Sequence, residues 1–288
     1  LGRSDRGLLA QWWFTVDRGL MFAVLLLMSA GVLISMAASP PVADRIGLDT
    51  FHFFRSQLFY LFPAVLVLIG VSFLTPRQTR RAGFLLFAGS LALMVAALFW
   101  GPEIKGAHRW INLGPLNLQP SELAKPGFVI VTAWLLAEQT RRPDIPAHFA
   151  AFLAAGLFFG LLLMQPDFGQ TALMIMAFGA MLLIWGLPWI LVAGFAGLVA
   201  SGILIAYASV AHVRSRIDRF LDPDKGDTFQ VDTAMQAFKN GGLMGAGPGG
   251  GEAKLTLPDA HTDFTFAVVG EEFGLVACLV LMSLFAFI

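Results

Sequence analysis

Eight runs of mostly apolar residues dominate the sequence, near 19 to 38, 57 to 74, 82 to 100, 122 to 137, 149 to 164, 169 to 186, 188 to 210 and 264 to 288. A helix needs about 20 such residues to cross the hydrocarbon core of a bilayer, because every backbone polar group must be satisfied within the segment. The expected fold class is therefore all-α: a polytopic membrane helical bundle, one membrane domain over 1–288, with eight transmembrane helices. The fourth, fifth and sixth runs are short and carry Pro, Gly or charge at their ends. Composition agrees, since 57% of residues are hydrophobic and 13% charged, against about 25% charged in an ordinary soluble domain. Nineteen basic and nineteen acidic residues give zero formal charge, so nothing in the overall charge points to nucleic acid. A single cysteine, Cys278, excludes an intrachain disulfide framework and a multi-cysteine metal site. The chain opens on a polar stretch at Leu1 and stops at Phe287 and Ile288 inside an apolar one, as expected of a part of a longer protein.

Trp12, Trp13, Asp17 and Arg18 read as an interfacial anchor leading into the first span, with no cleavable signal ahead of it. Arg3, Arg6, Arg18, Arg77, Arg80, Arg81, Arg141 and Arg142 fall on one set of span ends. The opposite short loops hold only Arg45, Arg55, Lys105 and Arg109. The positive-inside bias then places the amino terminus in the cytoplasm and the stretch 211–263, between spans seven and eight, outside. Within that stretch Val213, Ile217, Phe220 and Leu221 recur at helical spacing and Pro223 ends the pattern, predicting a short amphipathic surface helix. A second such helix would place Val231, Ala234, Met235 and Phe238 on one side and stop at Gly241 and Gly242.

The glycine-dense segment that follows contains Gly245, Gly247 and Gly250 in GxGxxG spacing. A dinucleotide fingerprint requires a βαβ unit and a P-loop requires Gly-Lys-Ser/Thr; neither is present, so a turn-rich loop is expected. Backbone without side chains could also come close to a bulky ligand.

Polar residues at membrane depth are costly and therefore informative. Glu122 and Lys125 share a face of the fourth span, either as a structural ion pair or as a functional one, with Ser121 as the expected N-cap. Asp167 lies in the turn between spans five and six, where a turn role is the commoner explanation. Asp263 stands at the mouth of span eight, where a helix N-cap is the plain reading. Two turns further in, Glu271 and Glu272 are adjacent carboxylates, of which at least one must face the bundle interior or a cation. His261 has no second His or Cys at ligand spacing, so it makes no metal site alone.

Arg109-Trp110-Ile111, Gln119-Pro120-Ser121-Glu122-Leu123-Ala124-Lys125, Gln165-Pro166-Asp167-Phe168-Gly169, Asn240-Gly241-Gly242, Leu257-Pro258-Asp259-Ala260-His261-Thr262-Asp263-Phe264 and Gly270-Glu271-Glu272-Phe273-Gly274 follow one another along most of the chain. In order and spacing the chain resembles the SEDS family of shape, elongation, division and sporulation proteins, and its Pro-Asp-Ala-His-Thr-Asp-Phe form is similar to the division members. The resemblance implies a ten-span peptidoglycan glycosyltransferase that polymerises lipid II outside the bacterial cytoplasmic membrane. It also implies a class B penicillin-binding protein as partner, together with other division-complex membrane proteins and the nascent glycan strand. It assigns the essential carboxylate to Asp263 and the family's Glu-Lys pair and Arg to Glu122, Lys125 and Arg109. The chain departs from the family in lacking the last two spans, in His108 where many relatives carry a second Arg, and in Asp232-Thr233 where Gln-Ser is common.

The implied chemistry joins a sugar hydroxyl to an anomeric carbon that loses a polyprenyl pyrophosphate. One base suffices, and Asp263 would take the hydroxyl proton, a role generally worth about 10² to 10⁴-fold. Arg109, Arg214, Arg216, Lys239 or a divalent cation such as Mg or Mn would neutralise the pyrophosphate, with His261 a further substrate contact. No dedicated nucleophile for a double displacement is evident, so the anomeric centre should invert. A lipid II flippase and a non-catalytic scaffold of the division complex are the alternative readings.

Overall fold

Eight long helices stand where the eight apolar runs lie. The computed structural model describes residues 7–104, 106–114, 116–221, 229–257 and 260–288, apart from the side chains of Leu8, Leu113, Leu116, His212, Arg216, Arg219 and Phe220. Expectations resting on Arg3, Arg6, Lys105, Pro223, Pro258, Asp259 or the side chains of Arg216 and Phe220 lie outside the described residues.

The element order is α1 (Leu8–Thr15), α2 (Arg18–Arg45), α3 (His52–Ser72), α4 (Pro76–Trp100), a hairpin of β1 (Ile111–Leu113) and β2 (Leu116–Leu118), α5 (Pro120–Arg141), α6 (Ala147–Met164), α7 (Phe168–Trp185), α8 (Trp189–Ser209), α9 (Ala211–Leu221), α10 (Phe229–Gly241), α11 (Ala253–Thr256) and α12 (Thr265–Phe287). Local chemistry sets several of these ends. Asp17 caps α2 by accepting from the Leu20 amide at 3.0 Å, and Thr75 with Gln78 closes a capping box on α4. The α2 helix runs on through Pro40 and Pro41, beyond its expected end near 38. Burial of Ala38, Ser39, Val42 and Ala43 holds this last stretch helical despite the hydrogen bonds the prolines remove.

Seven of the helices, α2, α3, α4, α6, α7, α8 and α12, are long and apolar enough to cross a membrane. The 22-residue α5 is long enough, but Glu122, Lys125, Glu138 and Arg141 lower its apolar character. The helices α3 and α8 bury no residue at all, and side chains such as Phe62, Ile184 and Ile190 stand exposed. Apolar helices with open outer faces and internally satisfied backbones are what a lipid solvent requires.

The chain divides into two compact units, one taking the described residues of 1–73 and 218–288, the other those of 74–217. In the second unit Phe128 is the hub of the core. Its ring lies 5.8 Å from Phe87, 5.2 Å from Phe158 and 5.9 Å from Phe178, within the range favourable for aromatic pairs. Gly127 allows this packing, because a Cβ there would stand 2.8 Å from the Phe87 amide nitrogen and 3.0 Å from the Gly83 carbonyl oxygen. Small residues that let helix backbones approach are the usual device of membrane bundles.

In the first unit the core joins α2, α10, α11 and α12 through Ala38, Val42, Ala234, Ala237, Leu257 and Val268. The expected amphipathic helix at 231–238 forms, and Ala234 and Phe238 of its expected face meet the core, but the rest of that face is corrected. Ala234, Ala237 and Gly241 are buried, while Val231 and Met235 are exposed. The reason is steric: α10 comes so close to α12 that a Cβ on Gly241 would fall 1.9 Å from the Gly270 carbonyl oxygen.

Candidate active site

Within the second unit, polar side chains from α5 and the α6–α7 turn gather beside the β1–β2 hairpin. Arg109 donates through Nε to the Gln165 carbonyl at 2.7 Å and through Nη2 to the Pro166 carbonyl at 2.6 Å. Its Nη1 lies 3.7 Å from Asp167. The guanidinium fork thus ties the residues preceding β1 to the turn between α6 and α7. Asp167 caps α7, accepting from the Gln170 amide at 3.4 Å, in agreement with its turn role. Gln165, itself buried, donates to the Met94 carbonyl at 3.2 Å.

Glu122 and Lys125 pair at 2.6 Å on the first turn of α5. Gln170 completes a triangle, accepting from Lys125 Nζ at 3.0 Å and donating to Glu122 at 3.3 Å. The N-cap of α5 is Gln119, not Ser121. Pro120 takes the first helical position, where its fixed φ and missing N–H fit, and this moves Ser121 inside the helix. There its hydroxyl is buried without a hydrogen-bond partner among the described residues.

In the first unit the adjacent carboxylates Glu271 and Glu272 are both buried, each 1% exposed. Glu271 accepts from Asn240 Nδ2 at 3.2 Å and from the Ala253 amide at 3.0 Å. Glu272 pairs with Lys254 through one oxygen and accepts from the Gly249 amide at 3.0 Å through the other. Sequence reasoning missed Lys254 and Gln170, and singled out Asn240 in a motif without giving it a role. Lys254 carried one available signal, as the single Lys or Arg between Lys239 and Ile288, ahead of a helix with two adjacent acids.

The same place in α12 is a break. Gly274 has φ +76° and ψ −178°, which interrupts the helix. The carbonyls of Glu271 and Glu272 accept instead from the amides of Ala246 and Gly247, at 2.8 and 3.0 Å. Beyond the break, the amides of Leu275 and Val276 donate to the carbonyls of Gly242 and Leu243, at 3.0 and 3.3 Å. The glycine-dense segment is turn-rich as expected, and its bare backbone approaches the protein's own interrupted helix. A Cβ on Gly245 would stand 2.2 Å from the Glu272 carbonyl oxygen. Irregular backbone is tolerated at membrane depth where protein satisfies its polar groups.

Asp263 lies on the turn before α12. Phe264 is the N-cap, without a side-chain bond, so Asp263 does not cap the helix. Its side chain is exposed and has no hydrogen bond or ion pair among the described residues. Two residues earlier, the half-buried His261 ring packs 4.2 Å from Phe53. Lys239 is exposed on the last turn of α10. The exposed Arg214 stands 5.4 Å from the Tyr207 ring centroid, in the second unit. Among the described residues no three His, Cys, Asp or Glu side chains gather as metal ligands.

These features define a helix-rich, multi-pass membrane protein with an exposed carboxylate immediately ahead of a broken span. The sequence profile of the FtsW/RodA/SpoVE family, described as a cell cycle protein, matches residues 18–288. The chain belongs to this family. It is 41% identical over 287 residues to the probable peptidoglycan glycosyltransferase FtsW of Caulobacter vibrioides, covering 99% of this chain and 74% of that protein. A solved chain from a study of structural coordination of polymerization and crosslinking by a peptidoglycan synthase complex superposes with a TM-score of 0.70 at 28% identity, over 96% of this chain and 76% of that one. The rod shape determining protein RodA of Thermus thermophilus matches with a TM-score of 0.59 at 26% identity, over 96% and 73%.

Proposed function

We propose that this chain is a peptidoglycan glycosyltransferase that polymerises lipid II at the outer face of the bacterial cytoplasmic membrane, with Asp263 as general base. The observation that carries the reading is the exposed carboxylate of Asp263, without a partner among the described residues, beside a span whose own carboxylates are committed. In the reaction the acceptor hydroxyl loses its proton to Asp263 as its oxygen bonds to the anomeric carbon of the donor. The bond from that carbon to the polyprenyl pyrophosphate breaks, and the anomeric centre inverts.

The exposure of Lys239, which belongs to the same unit as Asp263, supports a role in binding substrate phosphate, as does the exposure of Arg214 in the other. Arg216 and His261 are proposed as further substrate contacts. Arg109 is assigned a positioning role, since its donors are engaged by carbonyls. The Glu122, Lys125 and Gln170 triangle is half open and retains a proposed binding role. The reading further places eight spans in this chain, counting α5, with a cytoplasmic amino terminus and 211–263 outside, and a class B penicillin-binding protein as partner.

Purified protein given lipid II in detergent should form glycan strands. Asp263→Asn should abolish polymer while leaving the unfolding temperature unchanged. Undiminished polymerisation by that variant would defeat the assignment of the base. Movement of labelled lipid II across liposomes without polymer would instead establish a transporter.

A further inference from the structure

Arg77, Arg80 and Arg81 occupy the first two turns of α4, with no acidic residue in the first turn. Spacings of three and four put their side chains on one face with Phe84. No guanidinium of the three makes a hydrogen bond or ion pair among the described residues. Three like charges at a helix start, where the backbone dipole already disfavours cations, repel one another unless an anion joins them. Below them lies a groove of about 560 Å³ completed by Phe84, Leu85 and Trp134. Phe84 and Leu85 are 52% and 70% exposed.

The groove is amphipathic, with a cationic rim and an apolar, aromatic floor. The α4 helix is long and apolar enough to span a membrane, so its first turns stand at headgroup level, where Arg and Trp both concentrate. A preference for positive charge at one membrane face explains arginines near a span end. It does not explain why all three converge over one aromatic groove. We propose that this groove binds an anionic phospholipid, the phosphate held by Arg77, Arg80 and Arg81 and the upper acyl chain lying on Phe84, Leu85 and Trp134. A basic pocket between membrane helices is suited to such headgroups, and the charge complementarity excludes zwitterionic lipid as the preferred occupant.

The test uses the full chain in phosphatidylcholine nanodiscs doped with brominated phosphatidylglycerol or, in parallel, brominated phosphatidylcholine. Bromine quenches tryptophan on contact, and subtracting the same measurement on Trp134→Phe isolates Trp134 from the other tryptophans. Half-maximal quenching of Trp134 should need a mole fraction of brominated phosphatidylglycerol on the order of a hundred-fold lower than of brominated phosphatidylcholine, from the three arginines together. That preference should fall about five-fold in Arg80→Gln, at roughly 1 kcal/mol per basic residue near the membrane surface, and vanish when all three arginines are replaced by Gln. Equal quenching by the two lipids, or a preference untouched in Arg80→Gln, overturns the proposal. The readout is independent of polymerisation, and the single variant keeps the measurement interpretable if the triple one inserts poorly.

Discussion

Lys254 and Glu272 form an ion pair with both side chains closed off from the surface, at 9% and 0% exposure. The pair joins the short α11 to the middle of a membrane helix, at the point where that helix is broken. Removing one member leaves the other charge buried without its partner, which typically costs about 3 to 5 kcal/mol. Lys254→Met should therefore lower the thermal unfolding temperature sharply in detergent. Adding Glu272→Gln to it should recover a large part of the loss. A double variant as unstable as the single one would show that the charge pair is not what fails.

The glycine segment makes a second demand, this time on backbone. Gly245 has φ +81°, and a Cβ there meets the Glu272 carbonyl and the Phe273 amide. Gly249 has the same φ, but nothing lies within 4 Å of its Cβ position. Gly249→Ala should show only the conformational penalty, about 1 kcal/mol or somewhat more. Gly245→Ala should show that penalty together with displacement of the segment from α12. Amide hydrogen exchange at Ala246 and Gly247, whose N–H groups bond to α12, should rise far more in Gly245→Ala than in Gly249→Ala.

The helices were legible because lipid solvation leaves a long uninterrupted signal. The run near 82 to 100 became α4, and that near 188 to 210 became α8, with ends moved by a few residues. The break at Gly274 was not legible, since a single glycine in an apolar helix reads as tolerable. Nor was the Lys254–Glu272 pair, whose members are related by tertiary packing and by no local period. The inward face of α10 was half read: Ala234 and Phe238 meet the core, whereas Val231 and Met235 stay exposed and Gly241 makes the closest approach to α12, where a Cβ would fall 1.9 Å from the Gly270 carbonyl oxygen. The Glu122–Lys125 contact was readable from i, i+3 spacing. Its third member, Gln170, belongs to another helix and gave no pattern.

Arg109 offers a test of geometry against charge. Lysine keeps the cation but lacks the fork that reaches the Gln165 and Pro166 carbonyls together. With the side chain 31% exposed, the expected loss in Arg109→Lys is about 2 kcal/mol, less than two fully buried charged-group bonds would give. Polymerisation should fall in step with the loosened turn. A variant with unchanged stability and lost activity would instead make Arg109 a direct substrate contact.

The Glu122, Lys125 and Gln170 triangle separates stability from function in the opposite sense. Glu122 is 47% exposed and Lys125 22%, so solvent screens the pair and its contribution to folding should be about 1 kcal/mol at most. A purely structural role then predicts that Glu122→Gln and Lys125→Met are both nearly silent in thermal unfolding and in polymer yield. A binding role predicts the same unfolding temperatures with polymerisation reduced tenfold or more. The second outcome is expected, because three polar side chains from two helices are held in one place while half open to the outside. If the two variants act through the same bound group, combining them should reduce activity by less than the product of the single effects, and a steady-state comparison of kcat/KM across the four proteins measures that coupling.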